Sequence, residues 1–302
     1  MRDAFLSKIT ELATMDSDIV LLTGDLGFGV FEEFEDAFPG QYFNVGVSEQ
    51  NMTGLAAGLA LEGKKVITYS IGNFPTLRCL EQIRNDACYH DLNITIVASG
   101  GGFSYGSLGM SHHTTEDIAI MRALPEMRVV APGTVWEAGE ATEALIKHDG
   151  AGYLRLDKTV FKGMVAPFSL GGSIRYKKGS DVTLLTTGGI LRDVVEAAQL
   201  LQLQGVDASV VSMHSIKPID KSAIILAAKE TGGIVTVEEH NIDGGLGSAV
   251  AEVCMDNGVV PKAFLRIALE DKYSSIVGSQ DYLKAHYGMD ATSIVEKVLK
   301  LL

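Results

Sequence analysis

The sequence has three cysteines, one tryptophan, seven prolines and no lysine- or arginine-rich block among its 302 residues. Cys79, Cys88 and Cys254 are an odd number without CxxC spacing. That excludes a disulfide framework and a thiolate zinc site, and points to a reducing, cytoplasmic setting. Basic residues are outnumbered, 25 Lys and Arg against 38 Asp and Glu, for a formal net charge of −13. A chain so acidic is a poor partner for nucleic acid or an anionic membrane. No run approaches the roughly 18 uninterrupted apolar residues of a spanning helix. The first 18 residues, MRDAFLSKITELATMDSD, read as an amphipathic helix with charges throughout, not as a signal peptide. Repeats and low-complexity tracts are also missing. What is present is an apolar lean, 46% hydrophobic residues and a mean hydropathy of +0.19, which suggests surface buried against another chain. The length suits about two domains, each with its own core.

Short β-branched runs alternate with helical periods along the chain. Strands are predicted at Asp18–Leu22, Tyr42–Val45, Lys65–Ser70, Ile94–Ser99, Arg128–Ala131 and Gly152–Leu156, with helices such as Glu49–Leu61, Leu77–His90 and Val135–His148 between them. Such alternation indicates βαβ units around a mostly parallel sheet. The stretch 159–180 breaks the pattern; it is polar, glycine-rich and without a sustained period, and reads as a linker or an exposed hairpin. Strands at Asp181–Thr187, Ala208–Met213 and Gly233–Val237 then alternate with helices at Leu191–Gln204, Lys221–Lys229 and Leu246–Asn257, and Ala291–Leu302 closes the chain as a helix. The expectation is two α/β domains in series: 1–165 around a parallel sheet, a linker at 166–180, and a smaller mixed-sheet domain at 181–302.

Within 45–63, Ser48 can cap a helix whose apolar positions Met52, Leu55, Ala56 and Leu59 fall at i, i+3, i+4 and i+7. Gly63 stands where a glycine would end that helix. Glu49 then occupies the first turn, just after an apolar strand. There the helix dipole favours its anion and burial favours its neutral form.

The string GVSEQNMTGLAAGLALEGK, residues 46–64, resembles the pyrimidine-binding segment of transketolases and other thiamine-diphosphate enzymes. In that family the glutamate matched by Glu49 hydrogen-bonds N1′ of the aminopyrimidine and so promotes loss of the thiazolium C2 proton. Val47 matches the apolar residue that wedges the cofactor into its bent form. Segments 80–99, 109–133 and 181–253 resemble, in order, further stretches of transketolase, so the resemblance spans nearly the whole chain. Asp25 and Leu26 match the family's ADL segment beside the thiazolium. The family's GDG sequence and downstream asparagine, which hold the diphosphate through Mg²⁺ on a separate domain, are absent. The resemblance therefore implies the C-terminal subunit of a split transketolase, with no metal ligands of its own. It also implies an N-terminal diphosphate-binding partner, in an α2β2 heterotetramer, that completes the thiamine diphosphate and Mg²⁺ sites.

The resemblance further implies that His112, in the GMSHH segment, binds hydroxyls of the donor sugar, and that Arg155, in YLRLDK, binds a sugar phosphate. His112 and His113 make a poor metal pair, with no third ligand at recognisable spacing. His240 is a weaker candidate for an active-site or interface role. Several positions depart from the family pattern. Gly100 replaces a second substrate histidine, Leu108 replaces an acid that reads the sugar 2-hydroxyl, and Gly29 replaces a phosphate-binding serine. The positions of the stacking aromatics fall on Gly72 and Pro75, which leaves Phe74, offset by one, as the nominee. Each lost charge-assisted hydrogen bond is worth about 1.5–3 kcal/mol. The pocket is thus expected to be roomier and less polar, and the reaction to be two-carbon ketol transfer on a specialised sugar or sugar phosphate. The alternatives are the β subunit of a 2-oxo-acid dehydrogenase and a non-catalytic scaffold or regulator.

Overall fold

A computed structural model describes all of residues 1–302. Two sheets organise the chain. The first contains β1 (Ile19–Thr23), β2 (Tyr42–Asn44), β3 (Lys65–Ile71), β4 (Ile94–Ser99), β5 (Arg128–Val130) and β6 (Gly152–Leu156). The second contains β7 (Ile174–Lys177), β8 (Val182–Thr187), β9 (Ala208–Ser212), β11 (Ile234–Asn241) and β12 (Phe264–Leu269). The strand β10 (Ser215–Lys217) leaves the second half and adds to the edge of the first sheet. The orders are β10-β5-β6-β4-β3-β1-β2 and β12-β11-β8-β9-β7. All pairings are parallel except β10 with β5 and β7 with β9. Every residue of β1, β4 and β8 is buried, as expected for near-continuous apolar strands covered by helices on both faces.

The α/β class and the smaller mixed second sheet agree with the sequence reading. Two details differ. The segment expected to be a linker at 166–180 contains β7, an edge strand whose Lys177 ammonium donates to Asp207 at 2.7 Å and to the Ala208 carbonyl at 2.9 Å. The first sheet is not purely parallel, because β10 pairs with β5 across the boundary between the halves. The strand β12 and the helix Gln280–His286 were not anticipated.

Contacts between the halves are polar as well as apolar. Glu137, on the helix Val135–Ile146, accepts hydrogen bonds from the Gly133 amide at 2.7 Å, Tyr176 at 2.8 Å and Ser212 at 3.1 Å. The last two donors belong to β7 and β9, so this buried carboxyl joins the first layer of helices to the second sheet.

Candidate active site

The C-terminal ends of the parallel strands of the first sheet carry the expected residues, the edge where open α/β sheets place their ligands. After β2 the chain passes through Gly46, at φ +74°, and enters the helix Glu49–Leu61. Ser48 occupies the N-cap position, but its hydroxyl donates back to the Val45 carbonyl at 2.8 Å instead of accepting from the helix. Gly63 ends the helix at φ +89°. Met52 and Ala56 are buried as the period required, whereas Leu55 faces outward.

Glu49 is 4% exposed yet lines an open pocket of about 470 Å³ with Val47, Ser48, Gln50, Asn51 and Arg78. Val47 is exposed at its mouth. The Arg78 Nη1 lies 3.2 and 3.4 Å from the two Glu49 oxygens. The same guanidinium sits 4.8 Å from the centre of the Phe74 ring, and that ring meets His112 edge-on at 5.3 Å. The structure thus brings Glu49, Phe74 and His112 into one line, with Arg78 between the carboxylate and the ring. Arg78 was missed at the sequence level, where nothing in the pattern distinguishes it from any other helix-surface arginine.

Asp25 and Leu26 lie in the neighbouring loop after β1. Asp25 adopts φ +58°; its amide donates to the Asn44 side chain at 2.9 Å, and that same oxygen accepts the Gly46 amide at 3.0 Å. One asparagine therefore ties the Asp25 loop to the Val47–Glu49 turn.

His112 rides on the loop Gly100–Thr115. Its Nδ1 is 3.1 Å from the Ser111 hydroxyl. Asn73 holds the loop from the Phe74 side by donating to the His113 carbonyl at 2.5 Å. Gly72 is required here, because a Cβ would collide with the Thr114 side chain. Gly100, at φ +87°, lies under the Tyr105 ring, and Leu108 is exposed on a single 3₁₀ turn. His113 is buried, with Nε2 3.2 Å from the Gly106 carbonyl, and burial lowers its pKa. No cluster of three or more His, Cys, Asp or Glu side chains offers a metal site.

Arg155 requires a correction. It is 1% exposed. Its Nε pairs with Asp117 at 3.0 Å, and its Nη2 donates to the carbonyls of Thr114 and Glu239, both at 2.9 Å. A guanidinium sealed among these partners is not presented to a substrate phosphate. The exposed cation at the same strand end is Lys158, whose ammonium lies 3.7 Å from the centre of the Tyr105 ring. It lines a second pocket with Arg2, Ser99 and Tyr105, of about 320 Å³. His240, also fully buried, accepts from the Ala119 amide at 3.3 Å. It packs between the halves.

Comparison with known proteins identifies the family. The transketolase pyrimidine-binding domain matches residues 1–162, and the transketolase C-terminal domain matches residues 171–294. The chain is 34% identical over 304 residues to one subunit of the apulose-4-phosphate transketolase of Phocaeicola vulgatus, covering 99% of this chain and 96% of that one. It is 36% identical over 299 residues to a 6-deoxy-6-sulfo-D-fructose transketolase subunit of a Clostridium species, covering 98% and 92%. A solved split-gene transketolase, described as an inactive β4 tetramer, superposes with a TM-score of 0.89 at 35% identity over 100% of this chain and 97% of its own. These matches do not favour a 2-oxo-acid dehydrogenase subunit or a scaffold. The chain belongs to the transketolase family, as a C-terminal section of the split type that joins a pyrimidine-binding domain to a transketolase C-terminal domain.

Proposed function

We propose that this chain is the C-terminal subunit of a thiamine-diphosphate-dependent transferase that moves a two-carbon ketol unit between sugars or sugar phosphates of a specialised kind. The observation that carries the reading is a buried carboxylate, Glu49, opening into a pocket beside an aromatic ring and a substrate-loop histidine. Residues 1–165 form the pyrimidine-binding domain, 166–180 the connection, which supplies the edge strand β7 of the second sheet, and 181–302 the C-terminal domain.

The donor set suits the aminopyrimidine end of thiamine diphosphate. Glu49 would hold N1′ and share a proton with it, a role that a carboxyl shielded from water performs well. Val47 would support the bent cofactor from the pocket mouth and Phe74 would stack on the pyrimidine. Asp25 and Leu26 would stand beside the thiazolium. When bound, the cofactor supplies the nucleophilic carbon and electron sink for breaking a ketose C–C bond. Arg78 must leave the Glu49 carboxylate to admit the ring. His112, with Nδ1 turned to Ser111, keeps Nε2 for a sugar hydroxyl, and Lys158 takes over the anion-binding role expected of Arg155. Gly100 and Leu108 stand where the family pattern has a histidine and an acid, and the Tyr105 ring, not open space, lies over Gly100. This supports an unusual sugar, in keeping with relatives named for apulose 4-phosphate and sulfofructose.

Mg²⁺ and the diphosphate are assigned to an N-terminal subunit in an α2β2 heterotetramer. Support comes from the open pocket and from the surface beside it. Gly54, Leu55, Gly58 and Leu61 form an exposed face of the Glu49 helix, and Leu77 and Val47 are exposed nearby. A Cβ added at Gly54 or Gly58 would meet nothing within 4 Å, so another chain can approach closely. Buried, unreactive thiols fit the cytoplasm: burial pushes Cys79 and Cys88 up to about 11.

The test is Glu49→Ala in the chain purified with a diphosphate-binding transketolase subunit. Turnover of a ketose donor should fall by at least about 100-fold, the lower end of what a proton-transferring group contributes. Unchanged turnover would refute the reading.

A further inference from the structure

The loop that carries His112 is held from the first sheet by Asn73, Arg155 and the Leu156 carbonyl, and its base is held by a separate set of contacts from the C-terminal half. Its two ends pair with each other, the Gly102 amide to the Thr114 carbonyl at 2.8 Å and the reverse at 2.9 Å. Below that bridge lies Glu239 of β11, 1% exposed. One of its carboxylate oxygens accepts the amide of Phe103, inside the loop. The Gln280 amide donates to both carboxylate oxygens, at 3.1 and 3.0 Å. The approach is so close that a Cβ on Gly102, itself at φ +57°, would collide with this carboxylate.

Other contacts point the same way. The Phe103 ring stacks on Tyr287 at 5.6 Å and meets His113 edge-on at 5.1 Å. The Gly278 amide donates to the Gly106 carbonyl at 3.3 Å. Arg155 bridges the Thr114 and Glu239 carbonyls. A carboxylate buried in an interior is costly unless its lone pairs are used. The backbone donor that Glu239 uses belongs to the substrate loop.

We infer that Glu239 and Gln280 are positioning residues that fix the base of the Gly100–Thr115 loop, so the C-terminal domain shares with the first domain in setting where His112 stands while touching no reacting atom. This assigns the second domain a part in substrate recognition. It rests on the reading of His112 as the substrate histidine.

The experiment is amide hydrogen exchange on the full chain, followed by mass spectrometry. Glu239→Leu and Gln280→Leu should each speed exchange of peptides within 100–115 at least tenfold, with peptides of β4 and β8 unchanged. Glu239→Gln keeps an acceptor for the Phe103 amide, with Gln280 free to flip its own amide, and should restore protection to within about threefold of wild type. Labelling of His112 by diethyl pyrocarbonate should change rate in the leucine variants and not in Glu239→Gln. Wild-type protection of 100–115 in both leucine variants would overturn the inference. So would an equal loss of protection in β4 and β8, or a failure of glutamine to rescue. Both readouts report on the chain and not on turnover. Failure of the functional reading would appear separately, as unchanged turnover in His112→Ala.

Discussion

A guanidinium as deeply buried as that of Arg155 must be held by fixed charges and carbonyls, and Asp117 and the Thr114 and Glu239 carbonyls supply them. Removing one partner of a buried ion pair costs about 3–5 kcal/mol. Arg155→Met is therefore expected to lower the unfolding free energy by that amount in urea titration. Lys158→Ala should change stability by less than about 0.5 kcal/mol, and should raise KM for a phosphorylated sugar. The opposite pattern, intact stability with lost phosphate binding in the Arg155 variant, would return Arg155 to the substrate site. The string YLRLDK marks a strand end near the site, but a string carries no depth, and only two residues separate the sealed cation from the exposed one. Glu137 poses a pH-dependent case. Burial pushes its carboxyl above the usual glutamate range, so its folded value exceeds its unfolded one. Its contribution is then full below the unfolded value, about 4.3, and is lost as pH rises through the elevated folded value. Glu137→Gln should remove this loss. Between about pH 4 and pH 8, the Tm of wild type should fall relative to that of the variant. A constant difference would show that Glu137 titrates alike in both states.

Elements with strong local signals were legible in the sequence. The Glu49 helix begins and ends where Ser48 and Gly63 placed it, and β4 and β6 have the expected bounds. The pattern failed where tertiary context supplies the pairing. The strands β7 and β10, four and three residues long, owe their register to neighbours and not to their own alternation. Leu55 fitted the buried period of its helix yet points outward, because a helical period cannot say whether a face is covered by its own chain or by another. Within the elements, caps are testable separately from the core. Thr134 accepts the Glu137 amide at 3.0 Å at the start of the helix Val135–Ile146. A buried N-cap of this kind is worth about 1–2 kcal/mol, so Thr134→Ala should lower the unfolding free energy by that much. Thr134→Ser should recover most of it. An alanine variant as stable as wild type would show that the amide finds another acceptor.

At the scale of the whole molecule, a buried polar network binds two α/β units to each other through Glu137, Arg155 and Glu239. Of the apolar side chains left exposed, Val47, Leu55, Leu61 and Leu77 gather on the Glu49 helix and beside the pocket it helps to form. No helix is long and apolar enough to cross a membrane. The central claim is that Glu49 serves thiamine diphosphate only when a second subunit supplies the diphosphate and Mg²⁺ sites. It is tested most directly by calorimetric titration of thiamine diphosphate with Mg²⁺ into this chain alone, into its complex with a diphosphate-binding transketolase subunit, and into the same complex carrying Glu49→Ala. The account predicts no measurable binding to the chain alone and saturable binding to the complex, weakened at least tenfold by the substitution. Tight binding to the isolated chain, or binding to the complex that ignores the loss of Glu49, would contradict it.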